Sequence, residues 1–393
     1  MPVFADPAQA LAASSSKVIA APSFSFGPQQ EKVLKEVEDW LSGHIKGTEK
    51  KQVYRLFGFA GAGKTTLAKH LAASVNGPVC FAAYTGKAAL MMERNGCHGA
   101  TTIHSLVYKA EMGDDGGIHF RFDFRSAAAK AALIVIDECS MVDERIGKDL
   151  LRFGEPILVL GDPAQLPPVK GNGFFTHGCE PDAMLTEIHR QARDNPIIRF
   201  ATDVREGRRL PYGVFDTVEI DRPGNRGPAE VAQADQIICG RNATRSAFNA
   251  RIRAHLGHHQ MMPAIGDRLV CLRNDTKRGI MNGGLFKVSS YRPESRPSVI
   301  GLDISSEDFP ERATIPVGVR REFFDGDPKS VPWEKLKGTQ QFDYGYALTG
   351  HKSQGSQWRH VIAYDESATF GADANRWLYT VITRASERLT LIR

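Results

Sequence analysis

The stretch "VYRLFGFAGAGKTTLAKHLAASV" constrains this chain more than any other. A strand-like run from Val53 to Phe57, apolar except for Arg55, leads into Gly58-Phe-Ala-Gly61-Ala62-Gly63-Lys64-Thr65-Thr66, and a helical pattern carried by Leu67 and Leu71 follows. The order G-x-x-x-x-G-K-T between a strand and a helix is that of a phosphate-binding loop. Its glycines let backbone N–H groups turn inward, and the helix N-terminus adds favourable partial charge for an anion. Gly61, Ala62, Gly63, Lys64, Thr65 and Thr66 are therefore candidate nucleotide contacts, with Lys64 reaching the β and γ phosphates and the Thr65 hydroxyl a ligand for Mg2+. The alternative, an ordinary glycine turn, does not require the lysine and threonine.

A partner for that loop lies in "AALIVIDECSMVD". Leu133 to Ile136 is a continuous apolar run of the kind found in strands buried on both faces. Asp137 and Glu138 emerge at its carboxyl end, where doubly wound sheets place their ligands. Asp137 suits a metal ligand, and Glu138 suits the orientation of an attacking water, because phosphoryl transfer needs positioning and charge stabilisation. A second buried strand, "PILVLGDPAQLPPV", ends in Gly161-Asp162 and a proline-braced turn that presents Gln165. A fixed amide there can accept from a water and donate to a phosphate oxygen, or it is incidental to a proline-rich loop. Arg190 in "LTEIHRQARD" and Arg384 in "LYTVITRASERL" lie in segments with helical apolar spacing. Such arginines are either surface ion-pair members or cationic fingers toward a nucleotide clamped between two lobes.

A length of 393 residues accommodates two to three domains. No apolar run reaches the ~18 residues of a membrane span, so no membrane role is expected. The first 26 residues, with one acid (Asp6) and one base (Lys17), read as a mobile tail in place of a secretion signal. Six cysteines lie scattered with no C-x-x-C pair, which fits reduced thiols in a cytoplasm. The net charge of +5 decides little, but between Arg241 and Ile280 eight Lys/Arg face only two acids. Such a run is a solvated face unless other features point to nucleic acid.

These stretches, in order, resemble the motif set of superfamily 1 helicases of the RecD/Dda-like class. "GPQQEKVL" is similar to the adenine-reading Q motif, with Gln30 at its key position; "GFAGAGKTT" resembles motif I and "YTGKAA" motif Ia. "TTIHSL" resembles the next DNA-contacting motif, "VIDECSM" motif II and "LGDPAQLPPV" motif III. "EIHRQAR" resembles motif IV, "ALTGHKSQGS" motif V and "LYTVITRA" motif VI. Two departures stand out: Cys139 where motif II of this class commonly has Ala, and Gln357 where many members carry an acid.

The resemblance implies an α/β fold of two RecA-like P-loop lobes, with ATP and Mg2+ in the cleft and single-stranded DNA across both. Lobe 1A would span 27–184 with a pin-like insertion 1B at about 108–128, and lobe 2A would span 185–393 with an SH3-like barrel insertion 2B at about 285–341. Lys64, Asp137, Glu138, Gln165, Arg190 and Arg384 would be catalytic. Gly355 would approach the γ phosphate, and Thr85, Lys87, Thr102, His104, Asn242, Asn282, His351, Lys352 and Ser353 would hold DNA. Within "IHFRFDF", Phe120 and Phe122 either split the duplex or bury their rings on lobe one. The implied activity is ATP-driven 5′→3′ movement on DNA with unwinding; a translocase that remodels protein–DNA complexes and an RNA helicase are the rivals. The implied partners are single strands, single-strand/duplex junctions and a single-strand-binding, replication or recombination protein, with the chain itself a monomer. "GYALTGHKSQGS", which nearly spells a second phosphate loop, instead reads as a strand followed by donors for DNA phosphates.

Overall fold

The computed structural model describes residues 26–112, 118–168, 171–187 and 194–393. The expected tail, apart from Phe26, and Arg190 lie outside the described residues.

The first lobe is built on strands β1 (Val53–Gly58), β2 (Val79–Ala83) and β3 (Thr101–Thr102), a hairpin of β4 (Tyr108–Met112) and β5 (Ile118–Phe122), then β6 (Leu133–Asp137), β7 (Ile157–Gly161) and β8 (Ala183–Leu185). Six of these form a sheet in the order β3-β2-β6-β7-β1-β8, and every pairing in it is parallel. The apolar runs explain this arrangement. Along β6, Leu133 and Val135 join one hydrophobic cluster while Ile134 and Ile136 join another on the opposite face. Along β7, Leu158 and Leu160 face the first cluster and Ile157 and Val159 the second. A strand apolar on both faces is stable only where helices cover both, as in a doubly wound sheet.

The second lobe uses β9 (Gly213–Phe215), β10 (Val218–Asp221) and β11 (Gln236–Cys239) with late strands described below. Between them the chain makes an antiparallel sheet of β12 (Arg268–Cys271), β13 (Leu285–Arg292), β14 (Val299–Ser306), β15 (Ile315–Arg320) and β16 (Phe342–Tyr344), in the order β15-β14-β13-β12-β16. This sheet takes in residues on both sides of the 285–341 expected from sequence. The chain then returns through β17 (Ala347–Thr349), β18 (Trp358–Tyr364) and β19 (Ala385–Ile392). The order β17-β11-β18-β19-β10-β9 is parallel except at its β10–β9 edge. Among the described residues, no helix is long and apolar enough to cross a membrane.

The lobes meet at the helix Ala374–Ile382, whose Trp377, Tyr379 and Ile382 are buried in a cluster that also includes Leu166 of lobe one. Leu158, fully buried at the centre of lobe one, is expected to carry a cost of about 2–5 kcal/mol on Leu158→Ala. Val214, 71% exposed on the β9 edge, should change stability by less than about 0.5 kcal/mol on Val214→Ala. Urea unfolding of both variants beside the parent checks the pair; equal effects would contradict the two-faced core.

Candidate functional site: a nucleotide cleft and an adjoining groove

The phosphate loop follows β1. Gly61 and Gly63 have φ of 79° and 78°, left-handed values that a β-carbon disfavours, and Gly63 leads directly into the helix Lys64–Ser74. The Lys64 ammonium donates to the carbonyls of Gly58 at 2.7 Å and Phe59 at 3.2 Å, folded back over the loop. The Thr65 hydroxyl donates to Asp137 Oδ2 at 2.9 Å. Two segments 72 residues apart thus bring one hydroxyl and one carboxylate together at the cleft floor. That hard-oxygen pair fits Mg2+, which takes one or two protein oxygens and completes its shell with water and phosphate. Thr66, one residue on, is exposed on the helix.

Glu138 has φ 52° and ψ 43°, an unusual backbone for a residue with a side chain, and its N–H donates to Asp137 Oδ1 at 2.8 Å. Such conformations cost about 1–3 kcal/mol and persist where surroundings enforce them. Burial pushes the Glu138 carboxyl upward, and the Arg384 guanidinium pulls against it. Cys139 packs so closely on β7 that a β-carbon on Gly161 would lie 2.6 Å from its sulfur. Burial pushes this thiol well up, which leaves it an inert packing group.

Seven sequence-predicted residues line one cleft of about 180 Å3: Lys64, Thr65, Asp137, Glu138 and Gln165 from lobe one, with Gly355 and Arg384 from lobe two. Gln357 lines it as well. Gln165 is buried, and its Oε1 has no hydrogen-bond partner among the described residues. An unpartnered amide oxygen on a residue that lines a cleft has an acceptor site to give to a water. Arg384 is buried too, and it donates to the neutral oxygens of Thr380, Ser356 and Thr383. Burial lowers its pKa and the Glu138 carboxylate opposes that shift. Gln30 braces the loop from below: its Nε2 donates to the Ala62 carbonyl at 3.1 Å, and it accepts from Gly27 N. Gly355 has φ 73°, and a β-carbon there would come within 2.6 Å of Ala88, so only glycine lets lobe two approach the helix Gly86–Arg94 this closely.

Beside the cleft lies a groove of about 400 Å3 whose lining contains no acid. Thr85, Lys87, Thr102 and His104 come to it from lobe one, and Asn282, His351, Lys352 and Gln354 from the other side. Thr85 and Thr102 cap short helices through their hydroxyls. Burial and the Arg245 guanidinium push the Lys352 ammonium down, so the site favours an arriving anion. Burial also lowers His351 and His104, each opposed by an aspartate, Asp373 and Asp143 respectively.

Several expected contacts sit differently. Ser353 is buried and its hydroxyl donates to the Gly350 carbonyl, so it does not face the groove. Asn242 is exposed at the start of the helix Asn242–His255, away from the groove lining, and Glu366 already caps that start through Gly240 N and Arg241 N. Lys87 is only 5% exposed and pairs with Asp308 of the antiparallel sheet unit. The basic run is not a free patch: Arg241, Arg245, Arg253, Arg268 and Arg278, five of its eight cations, pair with acids of this chain. Phe120 is 57% exposed and meets the His104 ring edge-on at 6.0 Å. Phe122 instead stacks on Phe153 at 4.7 Å beneath the Arg152 guanidinium. The turn between β4 and β5 falls outside the described residues.

Sequence reading missed the contacts between lobes. Asp162 Oδ2 accepts from the Tyr379 hydroxyl at 2.6 Å, Leu166 N donates to Thr380 Oγ1 at 3.0 Å, and Gln354 Nε2 donates to the Leu166 carbonyl at 3.0 Å. Their sequence signal was their place within motif-like stretches; nothing in it tells which side chains meet.

Comparison with known proteins agrees with this geometry. Residues 46–219 match the AAA domain family model, and residues 344–392 match that of the UvrD-like helicase C-terminal domain. The chain is 28% identical over 383 residues to the ATP-dependent RecD2 DNA helicase of Deinococcus radiodurans, covering 90% of this chain and 47% of that protein. It is 33% identical over 174 residues to the ATP-dependent DNA helicase dda of Enterobacteria phage T4, covering 41% and 39%. The chain thus spans less than half the length of these relatives. Its fold matches a Bacteroides Pif1 helicase solved with ADP-AlF3 and ssDNA, with a TM-score of 0.59, 19% identity and coverage of 94% and 92%. The motif order, the two family models and the RecD2 and dda relatives make this chain similar to the superfamily 1 helicases of the RecD/Dda-like class, and the Pif1 structure shares its fold.

Proposed function

We propose that this chain is an ATP-driven motor that moves 5′→3′ along single-stranded DNA and opens duplex at junctions. The observation that carries the proposal is the convergence of Lys64, Thr65, Asp137, Glu138 and Gln165 with Arg384 in one cleft between two lobes. Lys64 would leave its loop carbonyls for the β and γ phosphates. Thr65 and Asp137 would hold Mg2+, which when bound neutralises phosphate charge and fixes the leaving group. Glu138 would polarise the attacking water, with Gln165 Oε1 accepting its second proton as a hydrogen bond. Arg384 would stabilise charge on the transferring group from the opposite lobe, and Arg190 is assigned the same part from its motif alone. Gln30, under the loop, would report the base, and Gly355 would bring lobe two's backbone toward the γ phosphate.

The groove would hold the strand. Its acid-free lining, with Lys352 and His351 opposite Thr85, Thr102 and His104, suits phosphate contacts that are indifferent to sequence. Gln354 lines the groove and also bonds to Leu166, so one residue joins the strand site to the cleft turn. The parallel sheets correspond to lobes 1A and 2A, the β4–β5 hairpin to a pin, and the antiparallel sheet to an SH3-like 2B unit. Phe120 is the better placed ring for a terminal base pair, because Phe122 is engaged by Phe153 and Arg152. Single-strand-binding, replication or recombination proteins are the expected partners, in a cytoplasmic setting.

Lys64→Ala is expected to reduce DNA-stimulated ATP turnover by about 10²–10³-fold or more, the scale seen on removing one transition-state donor. A variant with parental turnover would exclude this site. Strand displacement on 5′-tailed and 3′-tailed duplexes, and on RNA tails, tests the motor: opening of 5′-tailed DNA alone is expected. Brisk turnover without displacement would favour the remodelling translocase. For the groove, Lys352→Ala should lower the slope of log binding constant against log salt by about 1, since one phosphate contact is lost. An unchanged slope would remove Lys352 from the strand path.

A further inference from the structure

We propose that Tyr379 is a positioning residue for nucleotide hydrolysis, acting through the seat of its helix on lobe one. The inference rests on the proposed ATPase cleft and adds to it a residue that touches none of the reacting groups. The phenol hydroxyl donates to Asp162 Oδ2 at 2.6 Å and accepts from Ala60 N at 2.9 Å. Ala60 belongs to the phosphate loop, and Asp162 stands at the end of β7, three residues before Gln165. One oxygen from lobe two therefore ties together two lobe-one segments that line the cleft.

Chemistry makes this tie selective. Asp162 is 1% exposed, and its other oxygen accepts from Ala164 N at 3.0 Å. A buried carboxylate needs its donors, and a phenol bonded to it forms a strong, charge-assisted hydrogen bond. Without the hydroxyl, a carboxylate oxygen and a backbone N–H of the phosphate loop would both lose a buried partner. Thr380, the next residue, receives Leu166 N, so two successive side chains fix the helix Ala374–Ile382 against the turn Asp162–Leu166.

The helix carries that fixation to the reaction. Arg384 follows two residues after its end, and its Nε is held by the Thr380 carbonyl at 2.9 Å. The seat of Tyr379 and Thr380 thus sets where the guanidinium lies relative to Glu138 and Gln165 across the cleft. A displacement of about 1 Å in such a group is enough to slow a reaction by about 10²-fold. Ring packing alone gives a different expectation: Tyr379 is buried within the lobe-two cluster, and Phe would preserve that.

Tyr379→Phe is the test, with Tyr212→Phe, an exposed tyrosine remote from the cleft, as control. Positioning predicts a fall in kcat for DNA-stimulated ATP turnover of about tenfold to a hundredfold. ADP affinity should stay within about threefold, the split expected when an interaction matters mainly in the transition state. The double variant Tyr379→Phe/Arg384→Ala should turn over no more slowly than Arg384→Ala alone, because residues acting as a unit are not additive. Amide exchange of Leu166, which Thr380 and not Tyr379 accepts, should quicken in Tyr379→Phe as the seat loosens; this readout needs no turnover. Unchanged kcat, equal loss of kcat and ADP affinity, additive losses in the double variant, or unchanged Leu166 exchange would each overturn the proposal. An inactive parent with quickened Leu166 exchange in the variant would sink the ATPase reading and leave the seat itself standing.

Discussion

The fit of one short helix, Ala374–Ile382, into the turn after β7 is the contact on which the rest of the structure depends. Each lobe has its own two-faced sheet and could bury its own apolar strands. Lobe one places Lys64 in the cleft with Glu138 and Gln165, and only lobe two brings Arg384 to them. The interface that brings it there joins an apolar contact, Leu166 packed with Trp377 and Ile382, to three polar ones: a phenol on a carboxylate, a hydroxyl on a backbone amide, and an amide on a carbonyl. Such bonds contribute only about 0.5–1.5 kcal/mol each, more where a charge is involved, but their directions are exacting.

The features legible in the sequence were those whose causes are local. The run Leu133–Ile136 announced a strand buried on both faces because every residue in it is apolar. The phosphate loop was legible because its glycines, lysine and threonine act within eight positions of one another. The groove was partly legible, since Thr85, Thr102 and His104 take their places from the short helices that begin beside them. What could not be read were partners brought from afar. Lys87 meets Asp308 across 221 residues, and the cations of the basic run find acids as distant as Glu366. A charge pattern counts like charges along the chain, but folding decides which are already neutralised. Ser353 fails for a subtler reason: its hydroxyl is satisfied by a carbonyl three residues back, a local competition that spacing does not reveal.

Backbone strain also lay beyond the sequence. Glu138 occupies left-handed space although the residue type gives no hint of it, and the preceding aspartate stabilises it through a backbone hydrogen bond. The kink turns two successive acids to different tasks, one beside Thr65 and one on the cleft wall. A straight continuation of β6 would send alternate side chains to opposite faces of the sheet and separate them.

The pairing of Lys87 with Asp308 has a consequence for how a strand would be gripped. Lys352 and its neighbours reach the groove unneutralised by any acid in its lining, so a phosphate arriving there displaces mobile ions from the solvent. Lys87 already carries its anion, supplied by the antiparallel sheet unit. A phosphate that took Lys87 would first have to displace that carboxylate, and leaving Asp308 without its partner would offset part of the gain. The availability of Lys87 to a phosphate would then follow where the antiparallel sheet unit stands, with Asp308 holding that one cation back while the pair is intact.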